Sequence, residues 1–256
     1  YGVFAVLDGH IVDLEWHLTR LARSIAEMRI RHDVELAGWT DILRQLVEKN
    51  ALHEGSIYLQ VSRGAAPDRD FLFPGPDVEP TVFAFCQSRA LVDNPLAERG
   101  MRVITRADER WARRDIKTVQ LLFASMMKME AKGAGVDDIW FTDNGVVTEG
   151  TSQNVAIVTR AGHIVTHPQG HAILPGVTRL GLIELARASH MHVEERPFTV
   201  GEAQEAAEAF VTAATMLVVP VVEIDGLVIG DGLPGLQTLA LRKAYIARAR
   251  AQAHTG

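Results

Sequence analysis

Apolar residues recur at Leu14, Leu18, Leu21, Ile25 and Met28, in steps of three and four that place them on one face of a helix, with Asp13 as the expected N-cap. Ahead of that helix, "YGVFAV" and "HIV" flank Asp8-Gly9, a dipeptide that supplies the positive φ angles of a tight hairpin. The pattern then predicts a helix over residues 40–50 and strands in "SIYLQVS" and "TVFAFCQ", separated by the Gly/Pro-rich loop "RGAAPDRDFLFPGP". Together these make a small N-terminal α/β domain over residues 1–89. The polar stretch around Pro95 reads as a linker, residues 90–96, and a larger domain over residues 97–256 follows. It opens with a strand at "MRVIT" and a helix over residues 119–132 that Gly133 and Gly135 stop. Next comes a meander of "DDIWFT", "VVTEG", "NVAIVT" and "HIVT", punctuated by Asn144-Gly145 and Ala161-Gly162. "TRLGLIELARAS" is a helix, "HVEERPF" a strand, "VGEAQEAAEA" a helix, and "FVTAATMLVVPVVEIDGLVIG" a strand pair turning at Asp225-Gly226, before a terminal helix. The expected class is mixed α/β (α+β) in two domains. No internal repeat or low-complexity tract interrupts it.

Composition narrows the class of function. A chain of 256 residues with 47% apolar content can bury a sizeable core. The formal charge is −6, and Lys and Arg are scattered among Asp and Glu, which leaves no basic footprint for nucleic acid. The single cysteine, Cys86, excludes an internal disulfide and suits a reducing compartment, so a cytoplasmic location is expected; its apolar strand makes it a buried small hydrophobe. No apolar stretch approaches the roughly 20 residues of a membrane span. Small molecules are the expected partners.

Four features carry candidate chemistry. Lys117 lies between "RRDI" and the apolar residues Val119, Leu121, Leu122 and Phe123, so its amine is expected to emerge beside core, where desolvation favours the nucleophilic form. Taken by itself, it is an ordinary charge at a helix entrance. Glu149 ends a strand before Gly150, Thr151 and Ser152; it is either part of a small-residue turn or a carboxylate aimed at a cationic ring nitrogen. Pro175-Gly176 breaks the chain before a helix starting near Thr178, and N–H groups at such a start, with a hydroxyl beside them, suit an anion. Arg20 sits just off the apolar stripe of the first helix, a place usually held by surface charges.

The order of "EWHLTRL", "VSRG", "RRDIKT", "VTEGTSQN", "ILPGVTR" and "PVVEIDG" along the chain resembles the class IV, fold-type IV aminotransferases that use pyridoxal 5′-phosphate, and within them the D-amino-acid transaminases. The resemblance implies a small α/β domain and a larger domain with a barrel-like sheet. It implies that Lys117 forms the Schiff base with the cofactor aldehyde and that Glu149 pairs with the protonated pyridine nitrogen. Arg20, with Val177 and Thr178, would hold the phosphate. Asn154 would neighbour the phenolic oxygen with Arg110 beside it, Ala214 would offer a backbone N–H to the cofactor, and Tyr1 and Ala213 would face the substrate. An amino donor and a 2-oxo acid acceptor follow, as does a homodimer in which the loop over residues 63–74 crosses the interface. The family also leads us to expect a strand and a Gly-Asp-Gly segment upstream of Tyr1.

The pattern departs from the family at the substrate end. Where the D-specific enzymes carry an Arg-x-His pair that traps a carboxylate, this loop reads "RGAAPDRDFLFP", which offers Arg69 and Phe71 in one register and Asp68 and Asp70 in the other. An aspartate would repel a carboxylate, so the first register is the chemically preferable one. Ala213 and Ala214 stand where hydroxyl residues are frequent and offer backbone N–H groups only. Branched-chain and (R)-selective amine transaminases are the alternatives, aminodeoxychorismate lyase a more distant one, and a non-catalytic interaction protein the reading from another class. Joint retention of Lys117, Glu149 and Arg20 speaks against the last. No metal site is expected: Pro168 and Gly170 break any helix that would align His163, His167 and His171, and His190 and His192 read as surface residues.

Overall fold

The computed structural model describes residues 1–32 and 36–252, and its chain divides into two compact units. The first contains Tyr1–Arg89, returns for Ile116–Val119, and takes in Gln252; the second contains Ala90–Asp115 and Gln120–Ala251.

In the first unit, β1 (Gly2–Leu7) turns through Asp8 and Gly9, both at positive φ, into β2 (His10–Ile11). α1 (Leu14–Glu27) and α2 (Leu36–Lys49) follow, then β3 (Gly55–Ser62) and β4 (Thr81–Ser88). The sheet runs β2-β1-β3-β4, antiparallel throughout. Its inner face packs Phe4, Val6, Ile57 and Leu59 against Leu18, Leu21 and Ile25 of α1 and Leu43 and Val47 of α2, so the apolar stripe seen in the sequence is the buried face of α1. Asp13 stands at the N-cap of α1 but does not cap it. Its φ of 52° turns the side chain away from the first turn, and its carboxylate accepts instead from Gln252 Nε2 at 2.8 Å. Cys86 is half-buried rather than fully enclosed, and burial raises its thiol pKa.

The second unit opens with α3 (Pro95–Arg99) and β5 (Met101–Ala107), then α4 (Leu122–Gly133), β6 (Asp138–Asp143), β7 (Val146–Gly150), β8 (Asn154–Val158) and β9 (Ile164–Thr166). It closes with α5 (Val177–Ala188), β10 (Val193–Glu195), α6 (Val200–Gln204), β11 (Glu208–Ala213), β12 (Leu217–Ile224), β13 (Leu227–Val228) and α7 (Leu236–Ala251). The strands form one mixed, curled sheet of the half-barrel kind, in the order β10-β9-β8-β11-β12-β5-β6-β7 with β13 on β12.

Three readings of the sequence change here. The segment around Asp225-Gly226 holds three strands, because β11 already turns into β12 at residues 214–216. Residues 90–96 belong to the second unit: Leu91 is fully buried, and the Arg242 guanidinium donates to the carbonyls of Leu91 and Val92, as it does to those of Met216 and Val218. α4 starts at Leu122, not at residue 119, and Val119, Leu121 and Leu122 are exposed, so they give Lys117 no apolar surroundings.

Candidate active site

Lys117 lies in the four-residue return of the chain to the first unit. The preceding Ile116 is buried and anchors the segment, while the Lys117 N–H donates to Ser24 Oγ of α1 at 3.4 Å. Its carbonyl accepts from the Tyr1 nitrogen at 3.1 Å. The Lys117 Nζ stands 4.4 Å from the Tyr1 ring centroid, and that ring stacks on Tyr58 at 5.3 Å. The aromatic face beneath the amine and the two backbone anchors position Lys117. Burial pushes the Tyr1 phenol up to about 12, with Tyr58 adding to the shift and Arg20 opposing it.

Arg20 is half-buried, not a surface charge, and burial brings its guanidinium down to about 10. One turn earlier on α1, His17 is buried beside the Phe4 ring, and its Nδ1 lies 3.4 Å from Arg20 Nη2. Burial first, then the charges of Arg20 and Lys117, hold the His17 imidazole well below its ordinary range. It is therefore neutral and able to accept from the arginine. The loop residues Arg69 and Phe71 stay outside this cluster. Arg69 lies over the Phe71 ring at 4.4 Å, Phe71 is 86% exposed, and Asp70 Oδ1 caps the Phe71 and Leu72 N–H groups.

In the second unit, Glu149 is the buried charge around which the other residues gather. It is 4% exposed on β7. Its Oε1 accepts from Arg110 Nη1 at 2.7 Å, and its Oε2 accepts from Asn154 Nδ2 and the Leu174 N–H, each at 3.0 Å. Burial raises the Glu149 pKa, against the opposing pull of Arg110 and the Leu174 N–H. Arg110 lies 4.6 Å over the Phe141 ring and also forks onto Asp108 at 2.9 and 2.8 Å. Burial pushes Asp108 up as well, but Arg110, Arg114 and Thr148 outweigh it and the carboxyl falls below its usual value. Asp108, Arg110 and Glu149 thus form one alternating chain of charge.

Asn154 and Arg110 both serve Glu149. The Asn154 amide donates to Glu149 and to the Leu174 carbonyl at 2.9 Å, so both its hydrogens serve the carboxylate's surroundings. The turn between Glu149 and Asn154 is held from beneath by Asp138, a fully buried carboxylate that accepts from Thr151 Oγ1 at 2.7 Å, from the Gln153 amide, and from Lys128 at 2.8 Å.

α5 opens at Gly176 with no side-chain cap, and Val177 and Thr178 in its first turn are buried. Its leading N–H groups and the Thr178 hydroxyl form a donor set suited to a phosphate. Ala213 ends β11 and Ala214 follows in the turn to β12, both half-buried. Asp108, Asp138 and Gln153 were not recognised from the sequence. The spacing Asp-x-Arg at residues 108–110 was the one local sign, and its partner Glu149 is too distant in sequence to reveal it.

The profile described as amino-transferase class IV matches residues 1–224, and the chain belongs to that family. The chain is 36% identical over 246 residues to the D-alanine aminotransferase of Bacillus licheniformis, covering 95% of this chain and 85% of the relative. Its fold matches the branched-chain amino acid aminotransferase of Escherichia coli at a TM-score of 0.87 and 22% identity, over 97% of this chain and 84% of that one. It also matches a hypothetical aminotransferase from Mycobacterium tuberculosis in its PLP-bound form, at a TM-score of 0.86 and 21% identity, over 98% and 88% of the two chains.

Proposed function

We propose that this chain is a pyridoxal 5′-phosphate-dependent transaminase that moves the amino group of a D-amino acid, such as D-alanine, to a 2-oxo acid such as 2-oxoglutarate or pyruvate. The observation that carries the reading is Glu149, a buried carboxylate held by Arg110, Asn154 and the Leu174 N–H, within a chain 36% identical to a D-alanine aminotransferase. The residues fit the cofactor chemically: an anion for a pyridine nitrogen, a helix start with Thr178 and a guanidinium for a phosphate, and an amine for an aldehyde.

When bound, the cofactor supplies an electron sink for the carbanion left by loss of the substrate's Cα proton. Glu149 would keep the pyridine nitrogen protonated, and Arg110 offsets part of the cost of its charge in that buried place. The phosphate would be held by the Thr178 hydroxyl and the first-turn N–H groups of α5, and Arg20 offers a guanidinium of the matching charge. The Lys117 amine would accept the substrate's Cα proton and return it, a general acid–base role worth about 10²–10⁴ in rate. Tyr1, seated under that amine, orients it. Asn154 supports Glu149 through its amide. Arg69 and Phe71 contribute to the substrate side only through a homodimer, in which a partner's loop closes over the site. A cytoplasmic setting suits such chemistry.

The test pairs colour with substrate. Purified protein supplemented with pyridoxal 5′-phosphate is expected to be yellow and Lys117→Ala to lose the visible band; a wild type that binds no cofactor removes the reading. Rates with D-alanine, (R)-1-phenylethylamine and L-leucine, each with 2-oxoglutarate, then set the substrate class. Turnover of L-leucine alone would transfer the chain to the branched-chain reading.

A further inference from the structure

Two imidazoles and a carboxylate converge at the edge of the large sheet. β9 and β10 pair in parallel with Val193 opposite Ile164, so the residues just before them, His192 and His163, stand side by side at the head of neighbouring strands. The Ile164 N–H donates to the His192 carbonyl at 2.9 Å, and the His163 N–H is held by Thr159 Oγ1 at 3.1 Å. The two-residue period of a strand brings Glu194 to the same face as His192. Glu194 Oε1 lies 3.2 Å from His163 Nδ1 and 3.2 Å from His192 Nε2, and the two ring centroids are 4.3 Å apart. One ligand atom from each of the three residues lies within 4.8 Å of the others.

These separations suit a metal ion. Tetrahedral zinc with bonds of about 2.0–2.1 Å holds its ligand atoms about 3.3 Å apart, and two of the three edges here already measure 3.2 Å. The carboxylate is also pre-oriented. Glu194 Oε2 accepts from Arg196 Nε at 2.8 Å, while Arg196 forks separately onto Glu202, which leaves Oε1 as the single oxygen facing both rings. His192 is at the surface as its sequence position suggests, and Glu194, two residues on, is its acidic partner.

We propose that His163, His192 and Glu194 form a binding site for a divalent first-row transition ion of the zinc class, with water in a fourth position. Imidazole and carboxylate are the ligands such ions take, and binding displaces any proton from the ring nitrogens that face Oε1. A bound ion ties the head of β10 to the head of β9, clipping an edge pair that has only three residues on each strand. The ordinary alternative is two exposed imidazole–carboxylate hydrogen bonds that decorate a sheet edge.

The experiment is calorimetric titration of chelator-treated, cofactor-loaded protein with zinc chloride, repeated with Co²⁺ followed by its visible absorption. Wild type is expected to bind one equivalent of Zn²⁺ and to develop the absorption of four-coordinate Co²⁺. His163→Gln and His192→Gln should each weaken binding at least about tenfold, while His190→Gln, outside the cluster, should not. Zinc should raise the unfolding midpoint of wild type and of His190→Gln only. The two ligand variants are expected to fold, since the rings of His163 and His192 are 42% and 60% exposed, and circular dichroism checks this. Absence of zinc binding to wild type, or equal affinity in wild type and both ligand variants, overturns the proposal.

Discussion

Asn154 and Gly176 compete for the same space: a Cβ on residue 176 would stand 1.8 Å from Asn154 Oδ1. The φ of Gly176 is −68°, which any residue adopts, so close approach and not backbone freedom requires the glycine. Because Asn154 donates to both Glu149 and the Leu174 carbonyl, its displacement disturbs the buried carboxylate and the approach to α5 together. Gly176→Ala is expected to cost about 1–3 kcal/mol, seen as a fall of several degrees in Tm, and to weaken cofactor retention. Differential scanning calorimetry and cofactor release on dialysis measure the two; if both match wild type, the asparagine moves aside without consequence.

Removing the guanidinium between Asp108 and Glu149 should produce a defect that depends on pH. Burial raises Glu149, so its charged form disfavours the folded state as pH rises through its folded pKa, and Arg110 offsets that cost. Asp108 is held below its usual 3.8, so its contribution is present above that value and is lost as pH falls. Both signs make Arg110→Gln most harmful at neutral pH, by about 3–5 kcal/mol for an orphaned buried charge, with the deficit shrinking on acidification. Urea unfolding of the variant and wild type across pH 4–8 tests this, and a deficit that grows toward acid contradicts it.

His17 should make the protein acid-sensitive. Its folded pKa is depressed well below the ordinary 6.5, so it must bind a proton on unfolding; the stability it contributes is full above about 6.5 and declines as pH falls below. Wild type is expected to lose up to about 1.4 kcal/mol per pH unit in that window through this residue, and His17→Gln to lose less. Parallel stability curves for the two proteins would assign the acid sensitivity elsewhere.

Asp138 supports the active-site turn without touching Glu149. Asp138→Ala leaves the Thr151 hydroxyl and the Gln153 amide without their acceptor at about 1–3 kcal/mol each, whereas Lys128, 42% exposed, regains water. We expect a large fall in Tm and a loosened 149–154 turn, with Asp138→Asn recovering part of the stability. Hydrogen exchange over residues 149–154 reads the turn directly, and unchanged protection there would limit Asp138 to a global role.

Much of the architecture was legible locally. Leu18, Leu21 and Ile25 declared the buried face of α1, and Asp8-Gly9 and Asn144-Gly145 declared their turns, because helical period and positive φ are properties of a few adjacent residues. The order of motifs around Lys117, Glu149 and Thr178 likewise identified the family. What went astray depended on distant contacts: Val119 and Leu121 look like core in sequence yet face outward, and the strand run at residues 208–228 hides a turn.

The sequence alone determined most of the element order and the family, and it offered Lys117, Glu149, Arg20 and Thr178 for the proposed chemistry, since periodicity, turn residues and motif order are written along the chain. The tertiary structure alone decided their environment. It enclosed Glu149, joined Arg110 and Asp108 to it, and turned Asn154 toward it. It also set His163 beside His192 and Glu194 at a sheet edge. The reason is physical: burial, charge pairing and close approach are sums over residues far apart in sequence, and they exist only once the chain has folded.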